Sequence, residues 1–169
     1  MRRRDDGSFV EFVAERGNAL LRTAILMCHS RHDAEDALQS ALEKAYRHWD
    51  RLEPDTDPEP YVRRILVNLL ISRARRWRVL REIQVARTPE VPTTAPTHEV
   101  ELRGTLVDEL RRLGPRQRAV LVLRYWEDLS ELQTAELLGC SVGTVKSQAS
   151  RGLARLRERI DVTMAPMGR

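Results

Sequence analysis

Apolar residues recur every three or four positions along most of the chain, and no stretch alternates with the period of two that marks a strand. We therefore predict an all-α protein. Three amphipathic helices are predicted in the first half, over about 8–28, 33–49 and 59–80. The second is predicted to begin at Asp33, a good N-cap residue, with Asp36 three positions on. Three helices of this length can share one core.

The third predicted helix has two different faces. Its apolar face carries three adjacent pairs, at Tyr61/Val62, Ile65/Leu66 and Leu69/Leu70. Its other face carries Arg64, Asn68, Ser72 and Arg75, spaced by three or four residues. The second face is therefore expected to face solvent or a partner.

The composition changes after the third helix. Residues 87–99, RTPEVPTTAPTHE, contain three prolines and four threonines and show no helical period. We assign 82–103 as a Pro/Thr-rich linker that could extend to ~70 Å at ~3.3 Å per residue. The predicted parts are an N-terminal domain over 1–81, this linker, and a C-terminal domain over 104–169.

The C-terminal domain is predicted to begin with two helices. The first ends near Leu113, and Gly114 followed by Pro115 is the usual punctuation between helices. The next helix is predicted over 115–127, with Trp126 as a candidate core residue at its end.

A helix-turn-helix follows. Ser130 and Gln133 form a capping box at the start of a short helix, Gly139 makes the turn, and Ser141 caps a last helix that reaches about Asp161. In such a motif the start of the second helix enters the major groove of DNA, and its free N–H groups can meet a phosphate. The candidate DNA contacts are Ser141, Gly143, Thr144, Lys146, Ser147, Ser150 and Arg151. Ala135, Leu138, Cys140, Val145 and Ala149 are predicted to hold the two helices together.

Charge is unevenly distributed, although the formal net charge is only +4. Residues 5–60 carry thirteen acidic and six basic residues, whereas 61–87 carry eight arginines and one glutamate. A second basic segment, with one lysine and several arginines, lies between 146 and 159. Two basic segments on one chain indicate a long polyanion contacted twice.

Other function classes find little support. No apolar run could span a membrane, and no apolar segment of a signal peptide follows the first arginines, so a cytoplasmic protein is expected. The four histidines are scattered, and Cys28, His29 and His32 lack a second cluster that would complete a metal site. No phosphate loop or activated nucleophile is evident, so we expect no metal, no cofactor and no enzyme activity. Cys28 and Cys140 are expected to be buried; a regulatory disulfide would require them to meet.

Three segments resemble the extracytoplasmic-function (ECF) sigma factors, in particular the actinobacterial SigE-like subfamily. They are RHDAEDALQSALEKAYRHWDRL (31–52), PYVRRILVNLLISRARR (60–76) and LGPRQRAVLVLRYWEDLSELQTAELLGCSVGTVKSQASRGLARLRE (113–158). The resemblance implies an alternative sigma factor that binds core RNA polymerase through the β′ clamp and β flap. It further implies that the first domain recognises the −10 promoter element and assists duplex opening, that the second reads the −35 element, and that an anti-sigma protein is a candidate partner.

The resemblance also assigns roles to residues. The expected polymerase-binding residues on the second helix are Asp33, Asp36, Gln39, Ser40 and Glu43. The expected −10 residues on the third helix are Arg64, Asn68, Ser72, Arg75 and Arg76, with Asn68 near the pocket for a flipped base. Ser40 and Ser72 stand where the family often has Glu and Asp, and the loop over 51–61, which lines this pocket in the family, is proline-rich. Trp77 is open to two interpretations, stacking on a base or packing in the core.

Two other functions remain as alternatives. A conventional helix-turn-helix regulator would bind DNA without core polymerase, as a symmetric dimer on two half-sites. A degenerate sigma factor would occupy polymerase without reading promoters. The basic third helix argues against the first alternative, and the intact helix-turn-helix argues against the second.

Overall fold

The computed structural model describes residues 5–84 and 98–164, and the secondary structure in these ranges is helical. The α-helices are α1 (Asp6–Met27), α2 (Arg31–Tyr46), α3 (Glu59–Gln84), α4 (His98–Arg112), α5 (Pro115–Leu121), α6 (Glu131–Leu138) and α7 (Val142–Met164). A short 3₁₀ turn (Trp49–Arg51) follows α2, and a π-helical turn (Val122–Trp126) continues α5. The all-α prediction is confirmed. Within the described ranges, no helix combines the length and the apolarity needed to cross a bilayer.

The first three helices pack around alanines and one tryptophan. Fully buried alanines recur every three or four residues along α2, at Ala34, Ala37, Ala41 and Ala45, so α1 and α3 can approach α2 closely. Trp49 closes the end of this core and donates a hydrogen bond from Nε1 to Ser8 Oγ (2.9 Å). The predicted apolar face of α3 is turned inward, with Val62, Leu66 and Leu70 buried.

The start of α2 differs from the prediction. The N-cap is Ser30, whose Oγ accepts the backbone N–H of Asp33 at 3.1 Å, so α2 begins at Arg31. Asp33 lies in the first turn, where its negative charge faces the positive end of the helix dipole. Both residues are good N-caps, and the hydroxyl of Ser30 takes the role.

The predicted helix over 115–127 is interrupted. After Leu121 the backbone widens into the π turn, and the next turn places Asp128 at a φ of 53°, in the left-handed region. Trp126 is therefore turned outward and is 56% exposed, so its prediction as a core residue is wrong. π turns are frequent at functional positions, and Glu127 follows this one directly.

The linker prediction overlaps helical structure at both ends. α3 continues to Gln84 and α4 begins at His98, inside the predicted linker of 82–103. Residues 85–97 lie outside the described ranges. The proposed division into domains over 1–81 and 104–169 stays a prediction.

Candidate nucleic-acid interface

The helix-turn-helix forms as predicted. The capping box is complete, since Ser130 Oγ accepts Gln133 N–H (3.1 Å) and Gln133 Oε1 accepts Ser130 N–H (2.8 Å). Gly139 adopts the left-handed conformation (φ 63°) that the turn requires. Ala135, Leu138 and Val145 are buried between the two helices, and Cys140 and Ala149 pack at the edge of the same cluster.

Hydroxyl groups organise the start of α7. Ser141 Oγ accepts the N–H of Thr144 at 3.1 Å and lies 2.9 Å from Thr144 Oγ1. Ser147 donates its hydroxyl back to the carbonyl of Thr144 (3.0 Å) and is half-buried. Gly143 is exposed beside them, so the backbone at this end of the helix is open to close approach.

The charged residues of α7 are accessible. Lys146, Ser150 and Arg151 are exposed. The ammonium of Lys146 lies 3.6 Å from the carboxylate of Glu131 on α6, and both groups are in contact with solvent. Such an exposed ion pair is weak, so a DNA phosphate or base can replace Glu131 as the partner of Lys146.

Gly152 is a positioning residue that the sequence analysis missed. A Cβ atom at this position would lie 3.1 Å from Leu121 Cδ1, so the glycine allows α7 to cross α5 closely. This crossing fixes the direction of the recognition helix. A glycine inside a long amphipathic helix is the signal that could have identified it.

The second candidate surface lies on α3. Arg64, Asn68, Ser72 and Arg75 are exposed, as predicted from their spacing, and Arg76 beside them is exposed as well. Trp77, one residue further, is 48% exposed and stacks on His29 with ring centroids 5.3 Å apart and an interplanar angle of 27°. The core interpretation of Trp77 is therefore wrong, and an aromatic ring is present beside the arginine-rich face.

The candidate polymerase-binding residues lie on α2. Asp36, Gln39 and Glu43 are exposed, and Gln39 Nε2 donates to Glu43 Oε1 at 3.3 Å. Ser40 and Asp33 are half-buried.

Two of these side chains are also held in place locally. Ser40 donates to the carbonyl of Asp36 (2.9 Å) and accepts from Nη2 of Arg73 (2.9 Å), which ties this face to α3. Asp33 accepts the hydroxyl of Ser30 at 2.7 Å. The surface is acidic and polar, with no apolar side chain among the five candidates.

Cys28 is a buried, free thiol at the end of α1. Burial raises the pKa of Cys28 from 9.0 to about 11, with a further increase from the nearby charge of Asp33. Cys140 is also free and is half-buried at the helix-turn-helix. Among the described residues, no group of three His, Cys, Asp or Glu side chains is placed to hold a metal ion.

Cys28 is expected to resist alkylation. The thiolate is the reactive form, so we expect iodoacetamide at pH 8 to modify Cys140 at least about tenfold faster than Cys28. Mass spectrometry of tryptic peptides after timed quenching measures both rates in one sample. Equal rates in the folded protein would contradict the burial of Cys28.

The same pKa shift has a consequence for stability. As pH rises above about 9, the unfolded chain releases the Cys28 proton while the folded chain retains it up to about 11. The free energy of unfolding should therefore fall across this window, and the fall should be smaller in Cys28→Ala.

The geometry defines a two-part, all-α DNA-binding protein: a helix-turn-helix in one part, and an arginine-rich helix with an exposed amide in the other. Comparison with known proteins is consistent with this class. Residues 12–79 match the model of Sigma-70 region 2, and residues 103–156 match that of Sigma-70, region 4.

Curated relatives extend the match. The chain is 42% identical over 154 residues to the RNA polymerase sigma-E factor of Streptomyces coelicolor, covering 90% of this chain and 85% of the relative. It is 33% identical to the ECF RNA polymerase sigma factor SigM of Mycobacterium tuberculosis, covering 90% of this chain and 76% of the relative.

Solved structures agree on the fold. The sigma factor RpoE in complex with the anti-sigma factor NepR from Bartonella quintana superposes with a TM-score of 0.72 at 26% identity, covering 92% of this chain and 98% of that one. CnrH in complex with the cytosolic domain of CnrY gives a TM-score of 0.66 at 24% identity, covering 94% of this chain and 90% of that one.

The chain belongs to the ECF family of RNA polymerase sigma factors. It therefore binds core RNA polymerase and promoter DNA and acts in transcription initiation. Sigma regions 2 and 4 on the same chain support this function over that of a conventional helix-turn-helix regulator.

Proposed function

We propose that three separate surfaces of this chain carry its activity as a sigma factor. The acidic face of α2 docks on core polymerase, the exposed face of α3 holds and helps to open the −10 element, and the start of α7 reads the −35 element. The observation that carries the proposal is the exposure of all five candidate residues on α3, opposite a fully apolar buried face.

Asn68 has the chemistry to recognise a base. Its side-chain amide offers both a donor and an acceptor, which together can pair with the edge of an unstacked base. The guanidinium groups of Arg64 and Arg75 lie on the same helix face and can hold the flanking phosphates. Trp77 adds a half-exposed ring on which a base can stack.

The proposed mechanism consists of binding and DNA deformation, without covalent chemistry by this chain. The exposed side chains on α3 and α7 are of the types that contact phosphates and bases. The chain is expected to act in the cytoplasm, where its polymerase is found. An anti-sigma protein is proposed as a further partner, because the RpoE structure that this chain resembles is a complex with one.

The direct test is run-off transcription with purified core polymerase on a genomic library. Specific transcripts are expected only when both core polymerase and this protein are present, and aligned start sites would give both promoter elements. Tight binding of the protein alone to a symmetric site, with no effect of polymerase, would overturn the proposal.

Asn68→Ala separates promoter opening from the other steps. We expect this variant to bind core polymerase normally and to lose open-complex formation by about 5- to 150-fold, the effect of losing one paired base contact of ~1–3 kcal/mol. Permanganate footprinting measures opening, and fluorescence anisotropy measures polymerase binding.

Asn18→Ala, an exposed asparagine on α1, is the matched control. An equal loss of polymerase binding and opening in Asn68→Ala would indicate a folding defect instead of a lost base contact.

A further inference from the structure

The N-terminal helices and the helix-turn-helix part of the chain pack directly against each other. α1 contacts α4, α5 and the π turn, and α3 contacts α5 and α6. One buried apolar cluster extends across this boundary, from Phe12 and Leu66 on one side to Leu123 and Val145 on the other. The two parts therefore form a single closed body.

Glu127 places a negative charge at this boundary. Its carboxylate accepts a hydrogen bond from the hydroxyl of Thr23 on α1 and lies 3.0 Å from Nη2 of Arg63 on α3. Thr23 is fully buried, and the side chains of Arg63 and Glu127 are each only 14% exposed. This ion pair is therefore well shielded from solvent, unlike the exposed pair of Lys146 and Glu131.

Arg63 and Arg64 are adjacent but have different surroundings. Arg64 is exposed on the proposed −10 face, whereas Arg63 is directed to the other part of the chain, where it pairs with Glu127 and with Glu59. The arginines of α3 thus have two roles: proposed contact with DNA, and contact with the other part of the chain. The charge distribution alone did not predict the second role.

Two arginines of the second part complete the end of α1. The last carbonyls of a helix have no partner within that helix and carry the negative end of its dipole. Arg118 donates from Nη1 to the carbonyl of Met27 (2.7 Å), and Arg111 donates from Nε to the carbonyl of Cys28 (2.9 Å). The C-terminus of α1 is therefore capped by cations supplied from across the boundary.

The closed body leaves the DNA-binding residues accessible but fixes their separation. A compact chain of 169 residues has a radius of gyration of about 15 Å and is roughly 40 Å across. The two promoter elements are expected to lie about two helical turns apart, roughly 70 Å. One closed body cannot contact both elements, whereas two parts joined by an extended linker can.

We propose that the Glu127–Arg63–Thr23 contact and the arginine caps on α1 form an interdomain latch that keeps the free chain closed. The latch consists only of residues of this chain, so closure requires no second protein. Opening must precede simultaneous binding of both promoter elements. The latch therefore reduces the apparent promoter affinity to the intrinsic affinity multiplied by the fraction of chains that are open. The effect on promoter affinity rests on the proposed −10 and −35 roles. The closed state of the free chain does not depend on those roles.

The test measures the distance between the two parts in the full-length chain. Nitroxide labels are attached at Glu15→Cys on α1 and Arg157→Cys on α7, both exposed positions, with Cys28→Ala and Cys140→Ala as the background. Double electron–electron resonance then gives the populations of closed and open chains. The variants are Glu127→Gln, which removes the charge paired with Arg63, and Thr23→Val, which removes the hydroxyl that donates to Glu127; both change the shape little.

Glu136→Gln, an identical change at an exposed position of α6, is the matched control. We expect the unsubstituted background to give one short distance, and each latch variant to raise the ratio of open to closed chains roughly tenfold. The double variant should open less than the sum of the two single effects predicts, because both substitutions alter the interactions of the same side chain, Glu127. Circular dichroism verifies that each variant is folded.

Two results would overturn the proposal. One is a long, broad distance distribution in the background protein, which would show that the chain is already open. The other is an unchanged distribution in both latch variants. Neither result depends on polymerase or DNA, so failure of the latch can be distinguished from failure of the assigned promoter contacts.

Discussion

Replacing Arg118 with methionine is expected to lower the free energy of unfolding by about 3–5 kcal/mol, the cost of breaking a buried charged network. Arg118 is 2% exposed and donates to backbone carbonyls of Leu110, Arg111 and Leu113, in addition to that of Met27. Methionine fills similar space but leaves these carbonyls without their donor. Each buried, unsatisfied acceptor costs about 1–3 kcal/mol.

The acceptors explain how a buried guanidinium is tolerated. Burial lowers the pKa of Arg118 to about 10, so the group is still charged at neutral pH. Its acceptors are the terminal carbonyls of α4 and α1, which carry the negative ends of two helix dipoles. One side chain thereby caps two helices that belong to different parts of the chain.

Urea unfolding followed by circular dichroism measures the effect. Arg116→Met, an exposed arginine on the same helix, is the matched control and should change the stability by less than about 0.5 kcal/mol. Arg118→Lys should fall between the two, because an ammonium keeps the charge but cannot reach the same acceptors in a fixed fork. A loss of less than about 1 kcal/mol in Arg118→Met would contradict the capping role.

Substitution of the two cations on α7 should weaken use of the upstream promoter element. Lys146→Ala and Arg151→Ala are each expected to cost about 1–3 kcal/mol if the side chain reads a base, and less if it contacts only phosphate. The two cases differ in their signatures: loss of a base contact relaxes specificity at one position, whereas loss of a phosphate contact weakens all sequences and reduces the salt dependence.

Competitive run-off transcription on promoters altered at single −35 positions measures these effects at two salt concentrations. Arg157→Ala, exposed further along α7, is the matched control. Lys146 must also leave Glu131 to reach DNA, so Glu131→Gln should strengthen binding slightly in the unsubstituted background. Unchanged promoter selectivity in both Lys146→Ala and Arg151→Ala would exclude the assigned recognition helix.

Local chemistry explains which predictions from the sequence were accurate. The capping box of Ser130 and Gln133 and the left-handed turn at Gly139 involve residues three or four positions apart, so the sequence specifies them directly. The polar face of α3 was also predicted correctly, because its period follows from helix geometry alone. The start of α2 was displaced by three residues because Ser30 and Asp33 are both able to cap.

Errors occurred where packing overrides local pattern. Trp126 and Trp77 were candidates for the core, yet each is about half exposed. The π turn after Leu121 rotates Trp126 outward, and no periodicity in the sequence announces such a turn. Gly152 is buried in a helix crossing, which involves Leu121 from a different helix.

The sequence by itself determined the helices, their caps, the helix-turn-helix and the exposed faces of α2, α3 and α7, since each depends on residues within one or two helical turns. Only the tertiary structure decided which surfaces of the two parts meet. Thr23 and Glu127 are 104 positions apart, and Met27 and Arg118 are 91 apart. Contacts at such separations arise from the shape and charge of folded surfaces, so no local period in the chain encodes them.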